Sequence, residues 1–327
     1  MKFDVITIGS ATRDVFMSTD DFVEIPGKEF ITGEGLCLPS GSKIEIKKVV
    51  FATGGGGTNA AVTFARQGFK TADIGVVGDD PNGQALLSEL EKEGVDVSLF
   101  QKHNDDITAY SVILVQGNGE RTILSYKGEG QHFSVMNMNF DELESDWVYV
   151  DSLGGHADLM QKILDWAGEK GVKIATDPGT KEVEMGMDAI RPLLTQATIV
   201  HMNREDAAKI AGVPFDQENK IFEIMDEAVP GIFVMSNGHE GVVVSDGKNR
   251  YRAGVPDSPV VERTGAGDAF TSGFVAEYMR SGDIIKSIQF GTANASSVVT
   301  QFGSKAGILK KGESGQWPLV EVKAESL

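Results

Sequence analysis

The run Glu262-Arg263-Thr264-Gly265-Ala266-Gly267-Asp268-Ala269-Phe270 has the residue types to hold one charged group and to take a proton from another. Behind it Phe270, Phe274, Val275 and Tyr278 recur at helical spacing, and Ser281-Gly282 ends the repeat. The spacing predicts a glycine-rich turn that opens a helix, with Asp268 in the first turn. The backbone N–H groups of Gly265, Ala266 and Gly267 would then face outwards, unpaired, at the positive end of the helix dipole. That arrangement is an anion site, and small residues let a phosphate approach the backbone. A carboxylate is a poor phosphate ligand, so Asp268 suits proton abstraction from an attacking hydroxyl. A plain loop with an N-capping Asp is the other reading, and four residues do not choose between them.

Two further places carry chemistry. Thr53-Gly54-Gly55-Gly56-Gly57-Thr58-Asn59 stands directly before the apolar run Ala60, Ala61, Val62, Phe64, Ala65. Four consecutive glycines open φ values closed to other residues, at an entropic cost. The expectation is a mobile ligand-contacting loop, with Asn59 in the first turn of the helix that follows. Arg13-Asp14 lies just beyond a β-branched run at 4–9. Off the carboxyl end of such a strand Asp14 is either a solvated charge or a bidentate acceptor for sugar hydroxyls.

The elements that must position these residues alternate. Strands are expected at 4–9, 71–78, 148–150, 172–176, 198–201 and 231–236, with further edge strands at 242–244 and 249–253. Helices are expected at 82–93, 157–169, 183–194, 204–211, 220–228 and 284–300, the last with small residues for close packing. Strand–helix alternation of this kind means an α/β fold: a central, mostly parallel sheet with helices on both faces. Two spans break the pattern. Residues 15–50 show no helical period, and 107–126 reads as a hairpin around Gly117-Asn118-Gly119. The expectation is one α/β domain over 1–327, with insertions at about 15–50 and 105–127 pairing as a small β-sheet lid.

The 327 residues are 41% hydrophobic and 24% charged, ordinary for a soluble globular chain. Thirty basic residues against 48 acidic ones give a net charge of −18, which argues against nucleic acid or an anionic membrane as main partner. A nucleotide ligand stays open, because backbone N–H groups and Mg²⁺ can hold phosphates. The single cysteine, Cys37, excludes an internal disulfide framework. Met1-Lys2-Phe3-Asp4 runs into a strand instead of a signal peptide, and no apolar stretch has membrane-span length, so the expected location is cytoplasmic.

Gly54-Gly55-Gly56-Gly57-Thr58-Asn59, with Ala65-Arg66-Gln67-Gly68 and Gly75-Val76-Val77-Gly78-Asp79-Asp80 behind it, resembles the N-terminal signature of the ribokinase-like, or PfkB, family of sugar and nucleoside kinases. Thr264-Gly265-Ala266-Gly267-Asp268-Ala269-Phe270 resembles the C-terminal signature. The resemblance implies Asp268 as catalytic base and Gly265, Ala266 and Gly267 as anion hole. It implies that Asp14, Gly54, Gly55 and Asn59 hold the sugar. Asn203-Arg204-Glu205-Asp206 stands in the place of an Asn-x-x-Glu motif linked to Mg²⁺ and phosphate positioning, and leaves open whether Glu205 or Asp206 serves. Ser236, Gly238 and Gly241, with Asn203, Thr264 and Asn294, correspond to the nucleotide site. Glu262 stands where the family usually has Asp, which raises a monovalent cation such as K⁺ beside the anion hole.

The implied activity is ATP-dependent phosphorylation of a hydroxymethyl group on a sugar or nucleoside, ribose- or nucleoside-type preferred. Fructose, keto-sugar acids and sugar phosphates are the alternatives within the family; outside it, a catalytically silent nucleotide- or sugar-binding regulator. No Gly-x-Gly-x-x-Gly turn follows the first strand, which removes a dinucleotide-dependent oxidoreductase. Relatives that act on sugar phosphates typically carry Lys where Gly56 stands, so an unphosphorylated acceptor is expected unless Lys43, Lys47 or Arg121 supplies the charge. Exposed lid edges suit a homodimer through the lid.

Overall fold

The computed structural model of the chain describes residues 2–28, 30, 33–116, 120–131 and 138–327. Its first strands are β1 (Lys2–Ile8), β2 (Thr12–Ser18), β3 (Val23–Pro26), β4 (Glu34–Cys37) and β5 (Lys48–Gly54). Helix α1 (Gly56–Arg66) leads to β6 (Thr71–Ile74), β7 (Val76–Gly78), α2 (Pro81–Lys92), β8 (Gln101–His103), β9 (Tyr110–Val115) and β10 (Arg121–Tyr126). Alternation then sets in with β11 (Glu144–Val150), α3 (Ala157–Lys170), β12 (Lys173–Thr176), α4 (Thr180–Met185) and α5 (Met187–Gln196). It continues through β13 (Ile199–Asn203), α6 (Arg204–Ala211), α7 (Glu218–Ala228) and β14 (Ile232–Ser236). The chain closes with β15 (Val242–Ser245), β16 (Asn249–Ala253), α8 (Ala266–Ser281), α9 (Ile284–Val298) and β17 (Lys323–Ser326).

The main sheet has the order β17-β16-β15-β14-β13-β12-β11-β1-β6. Every pair from β6 to β14 is parallel, and β15, β16 and β17 add on antiparallel. Side chains alternate across a strand, and this sorts two cores. Ile6, Ile8, Val148 and Val150 face one side, with Leu159 and Ile163 of α3 and Phe222 of α7. Val5, Trp147 and Tyr149 face the other, with Phe64 of α1 and Phe270 and Phe274 of α8. A parallel strand buried on both faces needs this near-continuous apolar sequence. The α/β architecture expected from the alternation, a mostly parallel sheet with helices on both faces, is therefore present.

Three local expectations change. The single strand at 71–78 is two: β6 stays in the main sheet, while β7 leaves it to pair with β8. The break is Gly75, where a Cβ would lie 2.6 Å from the Phe100 ring. The helix at 183–194 is likewise α4 and α5, separated by Gly186 at φ 87. β15 and β16 are not the edge of the sheet; that is β17, whose exposed Lys-Ala-Glu-Ser sequence has no apolar alternation to announce it. The close helix pair is as its small residues require, since a Cβ on Gly291 of α9 would sit 2.8 Å from Phe270 O of α8.

A second sheet has the order β10-β9-β2-β5, with β2 parallel to β9 and antiparallel to β5. Phe16, Ile113 and Val115 form its small core, with Val50, Ala52 and Phe302 packed on it. The Gly117-Asn118-Gly119 turn lies outside the described residues. β3 and β4 pair apart from this sheet.

The four glycines are not the flexible loop expected of them. α1 begins at Gly56, and of the four only Gly55 has positive φ, at 97. The others are demanded by close approach. A Cβ on Gly54 would stand 1.8 Å from Asp14 Oδ2, one on Gly56 2.3 Å from Asp151 Oδ1, and one on Gly57 2.8 Å from the Gly9 backbone.

Candidate active site

Parallel strands deliver their carboxyl ends to one edge, and polar residues collect there. Ser10 follows β1, Asp151 follows β11, Asp177 follows β12, and Asn203 and Ser236 end β13 and β14. The chain leaves β1 for β6 on one side, whereas β11 lies on its other side. A crevice opens at such a switch in strand order, the usual place for a ligand. Ser10 Oγ donates to Asp151 Oδ2 across it at 3.2 Å and accepts Gly56 N–H at 3.0 Å.

Asp268 enters from the far side, in the first turn of α8, whose N-cap Gly265 has φ 79. Its Oδ2 accepts Asn59 Nδ2 at 2.6 Å, which joins the two sequence signatures through one hydrogen bond. Among the described residues no hydrogen bond uses the N–H of Gly265 or Gly267. The Ala266 N–H, expected to be free, donates to Arg263 O at 3.3 Å, because the turn closes on itself there. Burial raises the Asp268 carboxyl above the ordinary aspartate value, and Asp177 pushes the same way against the Asn59 hydrogen bond. Burial raises Asp151 well above that value too, reinforced by Asp268 and Asp177.

On the other side of the glycines, Asp14 is 5% exposed and its Oδ1 has no hydrogen-bond partner. Burial raises its carboxyl as well. A buried, unpaired carboxylate oxygen is costly, and a ligand hydroxyl would satisfy it. The lysines and arginine considered as lid cations are placed otherwise: Lys47 pairs with Asp20, Lys43 is exposed, and Arg121 Nε lies 3.5 Å from Glu262 Oε1.

Ser236, Gly238, Gly241, Ala266 and Gly267 line one pocket, closed by Thr292, Ala295 and Ser296 of α9. Asn294 does not join them. It is fully buried, donates to Ala269 O and accepts Leu309 N–H, both at 2.8 Å, so the amide staples α8 and the 309 segment to α9. The expected adenine contact is thus corrected, because both ends of that side chain are committed. Thr264 N–H donates to Glu262 Oε1 at 2.5 Å, and Thr264 Oγ1 is buried without a partner.

Asn203 caps α6: its Oδ1 accepts Asp206 N–H at 2.9 Å and its Nδ2 donates to Asp206 Oδ2 at 2.6 Å. Glu205 is exposed and Asp206 is half-buried, and burial raises the Asp206 carboxyl, with Glu205 and then Asp177 adding to it. Among the described residues no group of three His, Cys, Asp or Glu side chains is placed to hold a metal. That donor set fits Mg²⁺ carried in on phosphates, which keeps most of its waters and takes one or two carboxylates. Glu262 is a different case. It is 1% exposed with Oε2 unpaired, but the Arg121 guanidinium already lies beside it. One carboxylate oxygen next to a guanidinium is a poor fit for a monovalent cation.

Asp151, Asp177 and His201 were not anticipated. His201 Nδ1 lies 2.9 Å from Asp177 Oδ1 and its Nε2 3.0 Å from Ser236 Oγ, so one ring connects the carboxylate cluster to the nucleotide-side loop. Asp151 and Asp177 directly follow expected strands, and the carboxyl-edge rule that singled out Asp14 applies to both.

The α/β body places the Asp268 carboxyl in the first turn of α8, beside backbone N–H groups left without partners, and the family match gives the class, a phosphotransferase of the sugar and nucleoside kinase type. The chain belongs to the pfkB family of carbohydrate kinases, whose family model matches residues 3–311. It is 27% identical to a ribokinase from Haemophilus influenzae, over 96% of this chain and 98% of that one. It is 26% identical to an ATP-dependent ribose-1-phosphate kinase from Halopiger xanaduensis, over 90% and 91% of the two chains. Arabidopsis thaliana ribokinase, solved with ribose and ATP, superposes with a TM-score of 0.76 at 22% identity, covering 95% of this chain and 96% of that one. Among the described residues no helix is long and apolar enough to cross a membrane.

Gly54→Ala tests the acceptor side. The new methyl drives Asp14 from its place, since a Cβ there meets Oδ2 at 1.8 Å. Calorimetric titration should show sugar affinity falling about tenfold or more, worth about 1.4 kcal/mol, with ATP affinity unchanged. Equal losses for both ligands would mean a general collapse of the site.

Proposed function

We propose that the chain transfers the γ-phosphoryl group of ATP to a hydroxymethyl group of an unphosphorylated sugar or nucleoside, with ribose- or nucleoside-type acceptors preferred. The observation that carries this reading is the Asp268 carboxylate, held by Asn59 Nδ2 at 2.6 Å in the first turn of α8. One oxygen is engaged and the other is left for the acceptor hydroxyl. Asp268 takes that proton as the hydroxyl attacks, and the N–H groups of Gly265 and Gly267 stabilise charge on the transferring group. Phosphoryl transfer asks for such positioning and charge stabilisation more than for covalent help. Asp14 Oδ1 receives another of the sugar's hydroxyls. Asp206 would help to hold Mg²⁺ brought in with ATP, and that ion would supply neutralisation of charge on the phosphates. The pocket of Ser236, Gly238 and Gly241 takes the nucleotide.

The absence of an acceptor phosphate is supported by Asp151. Its carboxyl fills the space next to Gly56, so a group with acceptor oxygens occupies the place where an acceptor phosphate would need a cation. Ribose is favoured by the ribokinase relative, and the ribose-1-phosphate kinase relative supplies the competing reading. The discriminating measurement is kcat/KM with ATP for ribose, adenosine and fructose against ribose 1-phosphate and fructose 6-phosphate. A free sugar or nucleoside should lead; a phosphorylated acceptor in first place contradicts the assignment.

The second sheet acts as a lid that excludes water from this chemistry. Two ion pairs tie β10 and its approach to the anion-site loop, Arg121 with Glu262 and Glu120 with Arg263. Its outer face exposes Val49, Phe51 and Leu124, which supports pairing with a second copy of the chain in the cytoplasm. Light scattering should give a dimer that Phe51→Asp with Leu124→Asp converts to monomer; a monomeric parent refutes the pairing.

Asp268→Asn keeps size and the Asn59 neighbour but cannot accept the proton. Its kcat should drop on the order of 10²-fold or more while ATP still binds. Because Asp268 must be ionised and burial raises its carboxyl, kcat of the parent should rise with pH through a limb above the ordinary aspartate range. Turnover by the Asn variant within a few-fold of the parent removes Asp268 from the role.

A further inference from the structure

Lys305 is a cation in the interior that the proposed chemistry leaves without a task. It is 5% exposed, and its ammonium donates to Thr53 O at 2.7 Å, Thr58 Oγ1 at 2.8 Å and Asn59 Oδ1 at 2.6 Å. Three N–H donors meet three acceptors, so the charged form is fully satisfied. Acidic groups face it from several elements: Asp14 of β2, Asp73 of β6, Glu89 of α2, Glu93 at the C-cap of α2, and Asp268 of α8. The other cation nearby, Arg66 of α1, is held by Glu93 and donates to the backbone oxygens of Lys305 and Ile308.

The contact with Asn59 has a consequence at Asp268. An ammonium has no lone pair, so the end of the Asn59 amide that faces it must be the oxygen. Ser304 Oγ adds a second bond to that oxygen at 2.8 Å. The NH₂ end is thereby turned the other way, onto Asp268 Oδ2 at 2.6 Å. Were the amide free to flip, it would present its oxygen to a carboxylate and repel it.

We propose that Lys305 is a positioning residue for phosphoryl transfer, locking the Asn59 amide so that Asp268 keeps one oxygen bonded, stays ionised and offers the other to the acceptor hydroxyl. This deepens the assignment of Asp268 as base and rests on it. A purely structural role would be different in kind, since Arg66 already ties the Lys305 segment to α1. Burial pushes the Lys305 ammonium down to about 8, against the pull of Asp14, Glu89, Asp268 and Asp73. Above that pH the locking charge is lost, so kcat should fall as pH rises through this range.

The experiment compares the parent with Lys305→Gln and Lys305→Met, using ATP with ribose or the best acceptor of the panel above. In both variants kcat should fall about tenfold or more with KM for ATP little changed. The acidic limb of kcat should move up by roughly one pH unit, and the alkaline fall of the parent should vanish. Loss of thermal stability with an unmoved acidic limb, or kcat unchanged, overturns the proposal. A parent with no alkaline fall between about pH 7 and 9 overturns it as well, whether or not the variants fold. The ¹³C titration of the Asp268 carboxyl, assigned through Asp268→Asn, needs no turnover. It should lie higher in Lys305→Gln than in the parent, and equal titration contradicts the role. A parent inactive on every acceptor but with that shift would sink the kinase assignment of the preceding section and leave the Lys305–Asn59–Asp268 link standing.

Discussion

Like charges crowded out of water at one sheet edge are the constraint on which the rest of this molecule depends. Asp14, Asp151, Asp177 and Asp268 come from β2, from the ends of β11 and β12, and from α8, and burial raises three of them above the ordinary aspartate value. Carboxylates so placed repel each other, and a buried one without a partner is costly. The surrounding structure is a set of donors placed against them. Asn59 serves Asp268, Ser10 serves Asp151 and Thr271 Oγ1 serves Asp177, with the His201 ring 2.9 Å from the last. What remains unserved, above all Asp14 Oδ1, is capacity for a ligand rich in hydroxyls. Stability is traded here for a site that a sugar completes.

The glycines follow from the same constraint. Asp14 and Asp151 reach their places only because Gly54 and Gly56 have no side chains, and α1 approaches the end of β1 only because Gly57 meets Gly9. Backbone freedom matters at Gly55 alone, where φ is 97. A Gly-rich stretch read as loose is therefore among the tightest contacts in the chain. That close packing puts Asn59 in the first turn of α1, opposite the first turn of α8, where its amide reaches Asp268.

Much of the architecture was legible because periodicity is a local property. Strands and helices from residue 148 onwards, the glycine turn before Asp268 and the small-residue packing of α9 all leave a pattern in consecutive residues. The misses come from information held elsewhere in the chain. Gly75 breaks a strand because Phe100 comes to lie over it, and β17 joins the sheet through backbone pairing that its polar sequence does not reveal. Asn294 was taken toward the nucleotide because it is polar and near the right place in sequence, yet its partners, Ala269 and Leu309, are fixed by helix packing. Lys305 and His201 gave no sequence signal. A lone lysine or histidine is ordinary until the fold shows which carboxylates surround it.

The most direct measurement is a crystal structure with ADP, a metal-fluoride mimic of the transferring phosphoryl group, Mg²⁺ and the best free acceptor. The account predicts the acceptor hydroxyl oxygen within about 3 Å of Asp268 Oδ1, with Oδ2 still bonded to Asn59. It also predicts the mimic on the N–H groups of Gly265 and Gly267, and a further acceptor hydroxyl on Asp14. A complex that leaves Asp268 out of reach of the acceptor, or seats the sugar away from Asp14, would contradict it.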